Sequence, residues 1–224
     1  MAIRLVRVAI IAVGLGVWFV TQALIGAREL TAGDVPAAGT LLSDGDGLFA
    51  ATEGVHGYLL ANQSIANGLL IVSSLGIDLL AVFLIIRTIF GPSIRPFLGL
   101  IVLFSLRQIC QGLSPLPAPD GMIWRDPGFP SLLVTYGVAN DFFFSGHTAI
   151  ATLGAVELAR LGKRWWIVGS ILALFEVATV IVLRAHYTMD VYTGLVTALF
   201  VAGLAATLAP PVDRWIDRSV SRVN

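Results

Sequence analysis

The feature that most constrains the fold is a series of six apolar stretches, each about as long as a helix that crosses a bilayer. A hydrocarbon core of about 30 Å requires roughly 20 apolar residues per helix. The stretches cover residues 8–27, 66–86, 96–113, 142–159, 165–183 and 191–210. The chain is also only 12% charged, about half the usual fraction of a soluble domain. We therefore expect an all-α, polytopic membrane protein with six transmembrane helices in a bundle. The composition excludes a soluble enzyme, a disordered chain and a nucleic-acid binder.

The first apolar stretch follows Arg4 and Arg7 and has two interpretations. A basic start before an apolar run is typical of a secretory signal, but the run exceeds the usual signal core of about 7–15 residues. No small-x-small cleavage site follows it. The sequence therefore favours an uncleaved membrane anchor.

The distribution of basic residues predicts the orientation of the chain. Six crossings place both termini on one side, and short cytoplasmic segments are enriched in Lys and Arg. With the termini inside, the inner segments contain ten of the fourteen basic residues: Arg4, Arg7, Arg87, Arg95, Arg160, Lys163, Arg164, Arg214, Arg218 and Arg222. We expect cytoplasmic termini. One Lys against thirteen Arg indicates a GC-rich genome, so we expect a bacterial inner or plasma membrane.

Two long segments, 28–65 and 114–141, then lie on the extracytoplasmic side. Loops longer than about 12–15 residues are usually functional or disordered. Turn-forming residues at 43–47 predict irregular structure in the first of these loops. His56, in the same loop, is expected to face solvent or to form a hydrogen bond within the loop.

The other two histidines are placed by this topology at the same membrane face. His147 begins the fourth stretch, and His186 lies between the fifth and sixth. Asp190 follows His186 by four residues, a spacing that brings both onto one helix face. A carboxylate there could accept the Nδ1 proton and leave Nε2 as a lone-pair donor. The structural alternative is an interfacial hydrogen bond for His186 and a helix cap for His147.

Further groups at this face indicate an anion. Ser145 and Gly146 directly precede His147 at a helix start, where backbone N–H groups and the positive helix end bind anions. Arg107 and Arg184 add two permanent cations at the same level. Two imidazoles, a carboxylate and two guanidiniums are typical of a site for an oxyanion with a labile ester bond, with phosphate as the main candidate.

The motifs at these positions resemble those of a known family. Residues 141–148, D-F-F-F-S-G-H-T, are similar to the string D-Y-x-Y-S-G-H-T, and residues 186–191, H-Y-T-M-D-V, to H-Y-x-x-D-V. Arg107 precedes L-P-A-P at 116–119, similar to a third-helix Arg followed by L-P-x-P. These strings resemble the type 2 phosphatidic acid phosphatase superfamily, and most closely its sphingomyelin synthase-like branch. The resemblance covers about half of the chain.

The resemblance implies a role for each of these side chains. His186 would attack phosphorus to form a phosphohistidine, Asp190 would orient it, and His147 would protonate the leaving alkoxide. No metal or cofactor is expected. The residues expected to bind substrate are Arg107, Asp141, Ser145, Gly146 and Arg184.

We expect three parts of the chain. Residues 1–65 would form an anchor and extracytoplasmic loop, 66–212 a lipid phosphotransferase- or phosphatase-like membrane domain, and 213–224 a cytoplasmic tail. The donor would be a membrane phospholipid. A ceramide or diacylglycerol hydroxyl as acceptor would make the protein a transferase, and water would make it a phosphatase or phospholipase C-like hydrolase. The sequence leaves homo-oligomerisation open.

Three carboxylates inside the apolar stretches support an alternative of another class. Asp78, Glu157 and Glu176 are costly within a membrane and are functional candidates by default. A non-enzymatic transporter or lipid-binding protein would use them to bind protons or ions, but leaves the clustered histidines unexplained. Structural alternatives for Glu157 are protonation, interhelical hydrogen bonding or pairing with Arg107.

Overall fold

Helices are the regular secondary structure of the part of the chain that the structure describes. This computed structural model describes residues 1–27, 35–114, 116–134, 136 and 142–221, and of residues 35–39 the backbone alone. Within these ranges there are eight α-helices and no β-strand. They are α1 (Ala2–Gly26), α2 (Val35–Asp44), α3 (Gly47–Ala61), α4 (Gln63–Phe90), α5 (Arg95–Leu113), α6 (Gly146–Ala159), α7 (Lys163–Val182) and α8 (Thr188–Ser221). The all-α prediction is confirmed.

Five of these helices are long and apolar enough to cross a membrane, as expected of a multi-pass membrane protein. They are α1, α4, α5, α7 and α8. The fourth predicted crossing corresponds to α6, which has only 14 residues. At 1.5 Å per residue it is about 21 Å long, short of a core of about 30 Å. The predicted count of six crossings is therefore not confirmed.

Helix α6 lies at the centre of the bundle, packed against α4, α5, α7 and α8. Glycines on two neighbours allow close approach. A Cβ at Gly169 of α7 would lie 2.7 Å from Ala155 Cα, and a Cβ at Gly194 of α8 would lie 2.7 Å from the Ser145 carbonyl oxygen. Small residues at such contacts let helix backbones pack tightly. Protein therefore surrounds α6 on several sides, and most of its residues are buried.

The segment predicted to be irregular at 43–47 is instead the junction of two helices, α2 and α3. Asp46 caps α3, because its Oδ1 accepts hydrogen bonds from the N–H groups of Leu48 and Phe49 at 3.1 and 3.2 Å. This cap satisfies N–H groups that a helix start leaves unpaired. The turn-forming composition thus marks a helix boundary, and the prediction of an irregular loop was wrong here.

Helix α3 is held by a buried face that packs against α4 and α7. Phe49, His56 and Leu59 form this face, at spacings of seven and three residues, which place them on one side of a helix. His56 is only 1% exposed, and its Nδ1 lies 2.9 Å from the Val182 carbonyl oxygen. Since a carbonyl only accepts, Nδ1 is the donor. The expectation of a solvent-facing His56 was wrong. His56 does form a hydrogen bond, but the bond joins α3 to α7 and does not stay within a loop.

One end of the bundle is fixed by Arg7 of α1 and Asp213 of α8. The Arg7 guanidinium donates to the carbonyl oxygens of Thr88 and Gly91 at 3.0 and 2.6 Å, and lies 3.4 Å from Asp213 Oδ1. Carbonyl groups at a helix C-terminus have no hydrogen-bond donor within the helix. Arg7 is the donor for these carbonyls at the end of α4. The residues predicted to be a tail from 213 onward continue α8 as far as Ser221. The start of α1 and the later part of α8 therefore share one end.

Glu157 of α6 is buried at the same end of the bundle, where it forms a bidentate ion pair with Arg95. Its two carboxylate oxygens accept from Arg95 Nε and Nη2 at 2.9 and 2.8 Å, and Arg160 Nε lies at 3.5 Å. The alternative of pairing with Arg107 was wrong. Arg107 lies twelve residues further along α5, about 18 Å from Arg95 along the helix.

Candidate active site

The N-terminus of α6 places His147 in the first helical turn. Ser145 caps this helix: its Oγ accepts from the Thr148 N–H at 3.3 Å, and its own N–H donates to the Asp190 carbonyl oxygen at 3.1 Å. The first bond caps α6, and the second ties its start to the start of α8. His147 is buried, and within the described structure its Nε2 has no hydrogen-bond partner.

His186 is oriented by a backbone carbonyl. Its Nδ1 lies 2.8 Å from the Phe142 carbonyl oxygen, and since a carbonyl only accepts, Nδ1 carries the proton. Nε2 is then the lone-pair nitrogen. The sequence predicted that Asp190 would accept this proton, but Asp190 Oδ2 lies 3.7 Å from Nδ1 and accepts from the Tyr187 N–H at 3.1 Å instead. Asp190 therefore faces His186 as a nearby negative charge and not as its hydrogen-bond acceptor.

One cavity brings together both histidines, Gly146 and Arg107. Arg107 Nε donates to the Phe144 carbonyl oxygen at 2.8 Å, so the guanidinium is fixed beside the start of α6. A Cβ at Gly146 would lie 3.3 Å from Arg107 Nε, and the glycine thus permits this close approach. The cavity therefore combines two imidazoles, a guanidinium and a helix N-terminus, which is a setting that favours an anion.

Aromatic side chains form much of the remaining wall, and the sequence analysis did not predict them as site residues. Trp18 of α1 stacks on Phe104 of α5 with ring centroids 4.6 Å apart, and Trp124 meets His147 edge-on at 5.1 Å. Gln22, one turn after Trp18, also lines the cavity. In the sequence, a Gln four residues after a Trp in a largely apolar helix is the signal that could have indicated this face.

Arg184 is not among the side chains that line this cavity. Its guanidinium forms an ion pair with Glu53 of α3, donates to the Asp120 carbonyl oxygen at 3.2 Å and lies 5.2 Å from the Phe49 ring centroid. The partner Glu53 was missed because its segment had been interpreted as an irregular loop. Arg184 thus contacts the α3 segment, while its chain neighbours Ala185 and His186 line the cavity. The predicted substrate contact Asp141 lies outside the described residues.

Asp46 also connects the α3 segment to the site. Besides capping α3, its carboxylate accepts from the N–H and hydroxyl of Thr188, the first residue of α8. Tyr187, next to Thr188, donates its hydroxyl to the Pro117 carbonyl at 3.2 Å, and burial raises the pKa of this hydroxyl. One carboxylate therefore fixes the starts of two helices, and one of them carries Asp190.

The two remaining intramembrane carboxylates have protein partners. Asp78 of α4 accepts from the N–H groups of Leu132 and Leu133 at 2.7 and 3.0 Å, and Leu133 lines the cavity. Glu176 of α7 accepts from the Ser73 hydroxyl of α4 at 2.6 Å. Asp78 thus holds a wall of the cavity, whereas Glu176 joins two helices. No cluster of three or more His, Cys, Asp or Glu able to hold a metal occurs in the described ranges.

Comparison with known families corrects the resemblance drawn from the motifs. The family model AtPDCT1/2, phosphatidylcholine:diacylglycerol cholinephosphotransferase, matches residues 45–207. This family is distinct from the type 2 phosphatidic acid phosphatase and sphingomyelin synthase-like one, so the predicted resemblance was wrong, although both concern lipid phosphotransfer. Neither the curated proteins nor the solved structures include a match to this chain.

Proposed function

We propose that this chain, which belongs to the AtPDCT1/2 family, transfers a phosphocholine headgroup from a phospholipid to the hydroxyl of diacylglycerol. The family is one of membrane lipid headgroup transferases, and the donor and acceptor follow from its description. One observation carries the proposal. His147 and His186 line a single cavity beside Arg107, where an anionic phosphodiester would meet a nucleophile, a proton carrier and a cation.

In the first half-reaction, His186 Nε2 attacks the phosphorus of the donor. The N–P bond forms and the bond from phosphorus to the diacylglycerol oxygen breaks, leaving phosphocholine on the histidine. The Phe142 carbonyl keeps the proton on Nδ1 and so aims the Nε2 lone pair. The imidazole becomes positively charged as the bond forms, and Asp190 at 3.7 Å stabilises that charge.

Protonated His147 gives its proton to the departing alkoxide, and diacylglycerol leaves. The acceptor hydroxyl then returns a proton to His147 as its oxygen attacks phosphorus and the N–P bond breaks. Burial lowers the pKa of His147 to about 3, and the neighbouring His186 and Arg107 contribute to this lowering. A bound phosphodiester adds a negative charge beside His147 and raises this pKa, which favours protonation of His147 when a donor is present.

The non-bridging oxygens of the phosphate are held by the groups around them. Arg107 supplies a permanent positive charge, and the amides at Gly146 and His147 begin α6 with N–H groups that the helix itself leaves unpaired. Donors placed in advance of the reaction stabilise the charge that develops in the transition state.

We further infer that the cavity opens on the extracytoplasmic side. Arg7 and Asp213 bring the start of α1 and the later part of α8 to one end of the bundle, and Arg95 lies at that end. Basic residues favour the cytoplasmic side. Trp18 and Gln22 follow Arg7 on α1 by 11 and 15 residues, about 17 and 23 Å along the helix, so the cavity belongs to the opposite half.

The test is a transfer assay with purified protein in detergent micelles. It uses phosphatidylcholine labelled in the headgroup and diacylglycerol with acyl chains that differ from those of the donor. We expect labelled phosphatidylcholine that carries the acceptor's acyl chains. Acid-labile label should also attach to the wild-type protein and be absent from His186→Ala.

One control variant and one alternative product make this assay decisive. Trp165→Leu, at an exposed position of α7, should transfer at the wild-type rate and attach label normally. Release of free labelled phosphocholine without new lipid would identify a hydrolase instead. Absence of both products, or label attached to His186→Ala at the wild-type level, would refute the proposal.

A further inference from the structure

The charges around the cavity are unevenly placed for a zwitterionic ligand. His147, His186 and Arg107 are its ionisable side chains, and no Asp or Glu lines it within the described ranges. A phosphocholine group carries a phosphate and, one short linker away, a quaternary ammonium. The phosphate has cationic partners in the cavity, whereas the ammonium finds no carboxylate there.

The wall next to Arg107 is aromatic. Phe104 precedes Arg107 by three residues on α5, about 4.5 Å along the helix, a distance comparable with that between phosphorus and nitrogen in phosphocholine. Trp18 stacks on Phe104, and Gln22 lies one turn further along α1. Aromatic rings attract cations through their electron-rich faces, and quaternary ammonium groups in proteins are often bound in this way.

We propose that the Trp18–Phe104 pair, flanked by Gln22, is the subsite that binds the ammonium end of the donor headgroup and selects choline over ethanolamine. This inference rests on the proposed function and adds a specificity determinant from α1, a helix outside the matched residues 45–207. A trimethylammonium group has no N–H to donate, so an aromatic surface suits it. The primary ammonium of ethanolamine donates three hydrogen bonds and loses more by leaving water.

The test compares two donors, phosphatidylcholine and phosphatidylethanolamine, with the same diacylglycerol acceptor. We expect Trp18→Leu to lower kcat/KM for phosphatidylcholine about tenfold, because the aromatic face is lost, and to change that for phosphatidylethanolamine by less than about twofold. Trp18→Phe restores an aromatic ring and should keep the donor ratio close to that of the wild type. Trp165→Leu removes an exposed tryptophan and should leave the ratio unchanged.

A binding measurement separates this inference from the transfer reaction. Calorimetric titration of the protein in maltoside detergent with phosphocholine and with phosphoethanolamine should show a choline preference that Trp18→Leu abolishes and Trp165→Leu retains. A choline preference without any transfer would refute the proposed reaction while supporting the subsite.

Three results would overturn the subsite. The first is an equal loss for both donors in Trp18→Leu, which indicates a structural role alone. The second is a wild-type protein without a choline preference in either measurement. The third is loss of that preference in Asp141→Asn while Trp18→Leu keeps it, because a carboxylate would then bind the ammonium.

Discussion

The two ends of the bundle both contain buried charged or polar groups, but these groups differ in whether they have hydrogen-bond partners. At the end marked by Arg7 and Arg95, each oxygen of Glu157 and Asp213 accepts at least one hydrogen bond. At the other half, His147 Nε2 in the cavity and Asp190 Oδ1 near His186 are buried and make no hydrogen bond within the described structure.

Burying an unsatisfied polar atom costs about 1–3 kcal/mol. Such atoms also occur away from the cavity, at Arg7 Nε and Glu176 Oε1, so the comparison of the two ends rests on the carboxylates of Glu157 and Asp213, which are fully paired, and on His147 of the cavity, which is not. The sequence alone shows only that carboxylates and histidines lie within apolar stretches. Their hydrogen-bond partners decide whether substitution should affect stability or turnover.

The largest effect is expected for His147→Ala. Loss of a general acid costs typically 10²–10⁴-fold in rate, so transfer from a phospholipid should fall by that factor. A nitrophenyl phosphodiester has a leaving group that departs without protonation, and its release, measured by absorbance, should fall much less. Equal losses on both donors would remove His147 from the acid role and break the comparison.

Arg107→Lys should be next in size. Lysine keeps the charge but lacks the planar fork of donors that grips a phosphate. A lost donor at such a site costs about 10²-fold in turnover, and the Tm should change little because the positive charge remains. Near-native turnover would show that Arg107 contributes to packing alone.

Glu157→Gln should affect stability without affecting chemistry. Breaking a buried ion pair costs about 3–5 kcal/mol, and since the Arg95 side chain is 20% exposed, we expect about 2–3 kcal/mol. Thermal unfolding in detergent should show a lower Tm, with unchanged kcat per folded molecule. Arg160→Gln removes only the longer contact and serves as the matched control. A loss of kcat in folded Glu157→Gln would contradict the division between the two ends.

Asp46→Ala should have a smaller effect, which lowers both stability and turnover. Helix-cap loss costs about 0.5–2 kcal/mol, and Asp46 caps α3 while it holds the first residue of α8. We expect a modest decrease in Tm together with a decrease in kcat, because α8 positions Asp190. Asp44→Ala, at an exposed position at the end of α2, should change neither quantity. A decrease in Tm alone would limit Asp46 to a structural role.

Arg184→Lys should have the smallest effect. Its partner Glu53 is 63% exposed, and exposed ion pairs contribute about 0–1 kcal/mol. Because the guanidinium faces α3 and not the cavity, kcat should stay within about twofold of the wild-type value. A loss comparable to that of Arg107→Lys would show that Arg184 reaches the phosphate during turnover.

The sequence predicted those features that depend on composition over many residues. Apolar runs locate five spanning helices, and their order with the basic residues predicts that His147 and His186 lie at one face. The central helix α6 was overestimated because an apolar run of 18 residues does not reveal where a helix starts. Ser145 caps α6, and the aromatic residues at 142–144 lie before the helix and are not part of it.

The site contacts that the sequence missed are those made by backbone atoms or by distant helices. The Phe142 carbonyl leaves no mark in side-chain patterns, and a His-x-x-x-Asp spacing predicted Asp190 in its place. Trp18 and Gln22 reach the cavity only because α1 packs against α5. The sequence assigned Arg184 to the site because it did not show the partner Glu53. That ion pair forms only because residues 47–61 are a helix.

The family was misidentified because short strings cover few positions. Ser-Gly-His followed by His-x-x-x-Asp is a pattern of reactive side chains. Both families are related to lipid phosphotransfer, so this pattern does not tell them apart. The matched region of 45–207 covers α3, which the motif-based resemblance left out. A match over 45–207 therefore separated two families that the motif strings alone did not.

The two glycine contacts of α6 have a consequence for lipid traffic. Backbone packing at Gly169 and Gly194 leaves no width for an acyl chain between α6 and α7 or α8. The cavity is lined instead by residues of α1, α4 and α5, by the segment 124–134 and by Phe142, Ala185 and His186, so under the proposed function we expect an acyl chain to reach it between these elements and not past the two glycine contacts. Under the proposed reaction, the first diacylglycerol leaves before the second one binds, and the headgroup stays on His186 while the two lipids exchange.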